Sequence, residues 1–323
     1  MSDLNKNSLL NLVIDNEVNT GDRSKPNIDF VNLTILLIAV IALAFSPIFT
    51  KLSQIEISPT ATVFNRLWIA TIILNGWQLI KTPTEYTSIQ LKQFNFNRQG
   101  LLILASFSAT VSSVLWAISF TQTSVVSSTV LRSCTPIFIS LGAWLVLKQQ
   151  FNRQFIVGML LSVVGAIFIG WDDLQIGTNH LFGDVIALLS AALHGMNILI
   201  IGYLRDRDYT TLRVLFWRCG FGALIVLPVV WFGDARLFPI SLGGWLAVIA
   251  LAVVCQTLGQ GLLIYSLKQF DSTFVGIFTL LKPIVTALLA WIIFTESLNI
   301  TNGVAAILIL SGIFLAKTSS DRL

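Results

Sequence analysis

Four basic side chains fall inside long apolar runs of this 323-residue chain: Arg66, Arg132, Arg218 and Lys282. An ionised group near the centre of a bilayer costs roughly 2.5 to 3.5 kcal/mol, so it faces a polar cavity or a partner. No carboxylate stands at comparable depth: Asp184 lies near the start of one run and Glu296 beyond the end of another. An anion brought in from outside would supply the missing charge, and a guanidinium grips a carboxylate or phosphate through two parallel hydrogen bonds. Lys282 directly precedes Pro283, and Arg132 stands one helical turn before Pro136. Proline removes a backbone donor and bends a helix, so both charges adjoin expected kinks, and the two prolines read as structural or gating positions. Two blander readings stay open. Arg132 could snorkel outward or donate to carbonyls freed at the kink, and Lys282 could lose its charge in dehydrated surroundings. Arg66 and Arg218 occupy matching places in two similar segments, which suggests architecture: anchoring helix ends or bracing neighbours, with gating as the rival role.

Uncharged polar residues add candidates for solute contact. Gln256 and Gln260 are four residues apart and His194 and Asn197 three apart, so each pair shares a helical face. Trp116 and Tyr265 are further candidates, although interhelical hydrogen bonding or packing would place all six equally well. His194 is the one obvious group for proton coupling, since imidazole titrates near neutral pH. Without an intramembrane carboxylate relay, facilitated diffusion or exchange fits as well as proton drive. No catalytic constellation, phosphate-binding glycine loop or metal-ligand spacing is present, so no catalytic residue, cofactor or metal is expected. The cysteines Cys134, Cys219 and Cys255 sit singly in apolar runs and read as buried thiols.

What positions these residues follows from the solvent. With 55% hydrophobic and 11% charged residues, the chain has too little polar surface for water. A helix crossing hydrocarbon needs about 20 apolar residues. Ten runs approach that length: Phe30 to Thr50, Thr62 to Ile80, Gly100 to Phe120, Val125 to Leu147, Phe155 to Trp171, Phe182 to Leu204, Val214 to Phe232, Gly243 to Leu267, Thr273 to Thr295 and Thr301 to Ala316. Their continuous apolarity argues against a barrel. With the amino terminus inside, fourteen Lys and Arg fall in cytoplasmic segments against two outside, Lys51 and Arg236. That is the asymmetry of a multi-pass protein of the cell membrane with both termini cytoplasmic, and it accounts for the net charge of +4 without nucleic acid. Residues 1–29 are polar and read as a disordered cytoplasmic tail, not a signal peptide.

Two stretches, Val125 to Gly170 and Ser272 to Lys317, repeat each other at an offset of 147 residues, pairing Pro136 with Pro283, Trp144 with Trp291 and Gly165 with Gly312. The expected architecture is therefore an all-α integral membrane protein of ten transmembrane helices, built as two five-helix repeats at 30–171 and 182–317. An odd number of spans per repeat inverts the second copy, and inverted pairs place a shared site near the midplane for alternating access.

The paired motifs Thr135-Pro136-Ile137-Phe138 with Trp144 and Lys282-Pro283-Ile284-Val285 with Trp291, the run Phe294-Thr295-Glu296-Ser297-Leu298, and Gly303 and Gly312 beyond it together resemble the EamA-like family of the drug/metabolite transporter superfamily. The resemblance covers about residues 33–317. It implies a central cavity lined mainly by the first, third, fourth, sixth, eighth and ninth spans. Lys282 departs from the family, whose members often carry an acidic or neutral residue there. The expected function is a secondary carrier of a small organic solute, anionic or bearing a carboxylate or phosphate. The rivals are an exporter of neutral or zwitterionic metabolites such as amino acids, a multi-pass membrane enzyme, and a scaffold without transport. A small-molecule substrate and the lipid bilayer are the expected partners; the chain's own residues leave the oligomeric state open.

Overall fold

Apolar backbone without water must satisfy its own hydrogen bonds, and a helix does so within one segment. In a computed structural model of the chain, which describes residues 30–81, 96–123, 125–169, 181–207, 209–233, 236–294 and 300–320, the apolar runs are helical and no strand occurs among the described residues. The helices are α1 (Phe30–Ala44), α2 (Ser46–Ser53), α3 (Pro59–Lys81), α4 (Phe96–Gln122), α5 (Val125–Arg132), α6 (Thr135–Leu147), α7 (Arg153–Ile169), α8 (Leu181–Arg205) and α9 (Thr211–Gly233). Then come α10 (Leu242–Ala250), a π-helical segment (Leu251–Gly259), α11 (Gln260–Gln269), α12 (Ser272–Phe278), α13 (Leu281–Phe294) and α14 (Ile300–Ser320). Six helical stretches are long and apolar enough to cross a membrane by length and composition: Phe30–Ser53, Gln99–Gln122, Ser127–Leu147, Leu181–Arg205, Thr211–Gly233 and Leu242–Gln269. Arg153–Phe168, Ser272–Thr286 and Gly303–Ala316 are shorter apolar helices. Large apolar side chains such as Phe232, Leu242 and Phe314 point outward, as a lipid-facing surface requires. The tail at 1–29 and Glu296 lie outside the described residues.

Three runs are broken by proline. Pro136 opens α6 after a turn at Ser133 and Cys134, and Pro283 lies in the first turn of α13 after a turn at Thr279 and Leu280, where the sequence places kinks. Pro47 opens α2 in the same way, an interruption the sequence reading did not anticipate although Ser46-Pro47 was its signal. Each proline frees the carbonyl four residues before it. Neighbours satisfy the carbonyls that result: the Thr135 hydroxyl donates to Arg132 O at 2.6 Å, and the Lys282 N–H donates to Thr279 O at 3.1 Å. The Thr286 hydroxyl donates to Ala44 O at 3.1 Å, tying α13 to the break between α1 and α2. The π-helical segment is a fourth irregularity, marked by the Thr257 hydroxyl donating to Ala252 O, five residues back, at 2.9 Å.

Elsewhere small residues let helices touch backbone to backbone. At α7 and α14 a side chain on Gly158 would lie 2.6 Å from Gly312 O, and one on Gly165 would lie 2.9 Å from Ala305 O. The two contacts exchange under the 147-residue offset, Gly158 mapping to Ala305 and Gly165 to Gly312. The Ser162 hydroxyl donates across the same seam to Ile309 O at 3.2 Å. Gly303, on the same helix, has open space around it.

One polar clasp joins the two halves of the chain. Glu56, in the loop after α2, accepts from the Ile240 and Ser241 N–H groups at 2.9 and 3.1 Å and from the Ser241 hydroxyl. Ser241 in turn caps α10, its oxygen accepting from the Gly244 N–H at 3.0 Å. The Ser241 hydroxyl, followed by these backbone donors, holds the Glu56 carboxyl below its ordinary 4.5.

Two outcomes follow from this packing. Gly312→Leu must part α7 from α14 and lowers the unfolding midpoint in detergent, by roughly 1 to 3 kcal/mol of stability, as overpacking generally does; Gly303→Leu leaves it unchanged, and equal melting of the two variants would contradict the seam. A depressed carboxyl contributes stability present above its unfolded pKa and lost as pH falls through the folded value. Melting curves of Glu56→Gln therefore change less than the parent's below about pH 4.5, and parallel losses would show that the clasp contributes nothing.

Candidate functional site: a cationic cavity at the helix breaks

Where the helices break, they cannot pack flush, and a cavity opens with about 750 Å³ of empty space, counting the part that opens to solvent. Its walls come from the breaks themselves, with Ser46 and Pro47, Ser133, Thr135 and Pro136, and Thr279, Leu280, Lys282 and Pro283. Ser113 and Trp116 of α4, His194 of α8 and Gln260 of α11 also line it. These belong to the spans that the resemblance implies. Two more come from helices it leaves out: Arg66 of α3 and Arg218 of α9. All four intramembrane cations thus line one cavity, and no carboxylate is among its described lining residues.

Each guanidinium is positioned by neutral groups. Arg66 Nε donates to Gln256 Oε1 at 2.7 Å, and Gln256 Nε2 contacts Cys219 Sγ at 3.2 Å. Arg218 donates to Gln260 Oε1 at 2.9 Å, while its Nε is buried without a partner. Arg132 donates to the Ser190 hydroxyl and lies 4.5 Å from the Trp116 ring centroid. Ser190 is itself pinned to α4, its hydroxyl donating to Ser112 O at 3.0 Å and Ser112 returning a bond to Ser190 O at 2.8 Å. An amide, a hydroxyl and a π face satisfy geometry without cancelling charge. Four like charges that line one cavity repel one another.

The hydroxyls on the wall are mostly spent on backbone. Ser133 donates to Thr129 O at 3.0 Å, Thr279 to Gly276 O at 2.7 Å and Ser113 to Ala109 O at 2.8 Å. Positive donors therefore dominate what the cavity offers a solute. The Ser46 hydroxyl and the Trp116 indole N–H are buried without partners on the same wall.

The expected residues divide accordingly. Arg132, Lys282, His194, Trp116 and Gln260 come together, with Pro136 and Pro283 shaping the wall. Gln256 stands behind the wall and holds Arg66. Arg66 and Arg218 each reach a glutamine on a neighbouring helix segment, as a bracing role requires, and both also line the cavity. Asn197 and Tyr265 are corrected away from the cavity. The Asn197 amide donates to Ala105 O at 2.7 Å between α8 and α4, and the Tyr265 hydroxyl lies 3.5 Å from Asn32 Oδ1. Ser190 and Ser112 escaped the sequence reading, since a serine in an apolar run carries no signal of its partner. Cys219 and Cys255 are buried and Cys134 half-buried, all free thiols as expected.

Relatives of this chain are known. An archaeal protein from Archaeoglobus fulgidus, named an uncharacterized transporter, is 22% identical over 292 residues, which cover 89% of this chain and 98% of the relative. The Salmonella typhimurium protein named uncharacterized inner membrane transporter YicL is 23% identical over 279 residues, 84% of this chain and 89% of its own length. A solved crystal structure superposes with a TM-score of 0.76 at 13% identity over 91% of this chain and 98% of that one, a likeness of fold alone. The model of the EamA-like transporter family matches twice, at residues 31–171 and 181–318. Apolar helices, a cavity at their breaks and a family match over both halves give one conclusion: this multi-pass membrane protein belongs to the EamA-like transporter family.

Proposed function

We propose that the chain is a secondary carrier that moves a small organic anion, bearing carboxylate or phosphate, through this cavity by alternating access. The observation that carries the reading is the charge balance: Arg66, Arg132, Arg218 and Lys282 line one space with no carboxylate among the described lining residues. A cavity so lined attracts anions and repels cations, and bound anion removes the penalty of enclosing unpaired charge. The carrier comprises ten spans in two inverted five-helix halves, 30–171 and 182–317, with both termini cytoplasmic in a cell membrane. The reciprocal Gly158/Gly312 and Gly165/Ala305 contacts support the inversion, since a two-fold axis between α7 and α14 interchanges them. Proton drive is not part of the proposal; among the described lining residues His194 has no carboxylate beside it.

Purified protein in liposomes tests this directly. Labelled organic anions show counterflow, and Lys282→Gln or Arg132→Gln lowers the rate at subsaturating solute by at least about tenfold, the worth of one charge-assisted hydrogen bond. Undiminished anion counterflow in both variants would remove the proposal. Topology has its own check: single reporter cysteines placed before residue 30 and after residue 317 both resist an impermeant thiol reagent in intact cells. Labelling of one end only would break the five-plus-five arrangement.

A further inference from the structure

The hydroxyls on the cavity wall at Ser113, Ser133, Thr135, Thr279 and Thr286 donate to backbone carbonyls. Three polar atoms of wall residues are buried without a partner among the described residues: Ser46 Oγ, Trp116 Nε1 and Arg218 Nε. They differ in what they ask of a ligand. Arg218 carries charge and suits any oxyanion. The Ser46 hydroxyl donates or accepts, so it selects neither kind of group. An indole N–H only donates, and whatever meets it brings an acceptor. Trp116 is 9% exposed, so this donor has little water to turn to, and a buried donor left unpaired is costly.

The place of that N–H relative to charge is fixed by geometry. Arg132 lies against the Trp116 ring, 4.5 Å from its centroid, and Ser190 accepts one of its five N–H donors. Ser112, one turn before Trp116 on α4, exchanges hydrogen bonds with Ser190 at 2.8 and 3.0 Å, so ring and guanidinium are held by one α4–α8 seam. Phe120 packs on the same ring, centroids 4.8 Å apart. An oxyanion on Arg132 and an acceptor on the indole are therefore close neighbours.

We infer that the solute is an α-hydroxy or α-oxo acid, its carboxylate on Arg132 and its uncharged oxygen on the Trp116 indole N–H. The inference rests on the anion-carrier reading and narrows it. In such an acid the uncharged oxygen and the carboxylate sit on adjoining carbons, as the adjoining donors require. A plain acid satisfies Arg132 and leaves the indole donor unpaired. An α-amino acid brings an ammonium, itself a donor, to a donor among four cations.

The test uses the full chain in detergent at neutral pH and reads ligand-induced thermal stabilisation, since a ligand of the folded state raises the melting point with its affinity. The probes are propionate, butyrate, pentanoate and hexanoate, each with its α-hydroxy, α-oxo, β-hydroxy and α-amino counterparts, and the alkyl phosphates of matching length. Every carboxyl is ionised at that pH, so within the plain, hydroxy and oxo acids only the added oxygen differs. At one chain length the α-hydroxy or α-oxo acid stabilises half-maximally at a concentration about fivefold or more below that of the plain acid, the difference an unpaired buried donor makes, while the β-hydroxy isomer gains less. Trp116→Phe keeps a ring face for Arg132 and loses the N–H, and the ratio of α-oxygenated to plain acid falls towards one. Equal binding of the two in the parent protein would show that the indole N–H meets water only and would overturn the inference, leaving the anion carrier standing. So would a ratio that survives Trp116→Phe, an equal gain from the β-hydroxy isomer, or stabilisation by the phosphates alone. Tightest binding by the α-amino acids, or stabilisation by no probe, removes the anion reading and this inference with it.

Discussion

Positive charge enclosed among apolar helices, with no carboxylate among the described residues that line its cavity, is the constraint that the rest of this structure accommodates. Hydrocarbon offers an ion nothing, and a cation buried there needs hydration or partners supplied by the protein. Gln256, Gln260, Ser190 and the face of Trp116 supply partners that are neutral. They fix where the guanidinium groups point and leave the charge itself uncancelled. A carboxylate in their place would make a closed ion pair with no appetite for a solute. Under the proposed function, neutral partners hold the cations in place and an anionic solute supplies the missing charge.

The same constraint explains where the helices are imperfect. Continuous helices pack without leaving space, and polar groups between them would be squeezed against lipid-like surroundings. Proline at Pro47, Pro136 and Pro283 interrupts three runs around one space, and the π-helical turn at Leu251–Gly259 directly precedes another wall residue, Gln260. Non-helical backbone at membrane depth is tolerated where it borders a polar cavity, and the carbonyls freed there are recovered by Thr135, Thr286 and the Lys282 N–H. Against these breaks stands the α7 and α14 seam, where Gly158, Gly165 and Gly312 bring backbones into contact and nothing is left to give. Irregular, hydroxyl-rich breaks at the centre and a dense seam at the side divide the molecule into parts that can bend and parts that hold.

The candidate site was partly legible in residue order because charge in an apolar run is a local anomaly that needs an explanation. Lys282, Arg132 and His194 announced themselves that way, and Gln260 did so as one of a pair of amides on one face. Arg66 and Arg218 read as braces between helices, and only their neighbours in space, Gln256 and Gln260, showed that the bracing groups also line the cavity. Asn197, like Gln260, shares a helical face with a polar neighbour, and Tyr265 is an aromatic candidate, yet a carbonyl on α4 claims the first and Asn32 lies beside the second. Sequence spacing could not tell these from Gln260; the neighbour in space does.

Helicity, burial in lipid and the positions of two kinks were settled by the sequence by itself, because backbone satisfaction, hydropathy and proline chemistry act within one segment and need no knowledge of the others. Only the tertiary structure decided which polar side chains share a cavity, since that depends on how each helix is rotated about its axis and which helix it meets. Those rotations are set by close contacts such as Gly158 with Gly312 and Ser190 with Ser112, between residues far apart in the chain whose pairing no local pattern records.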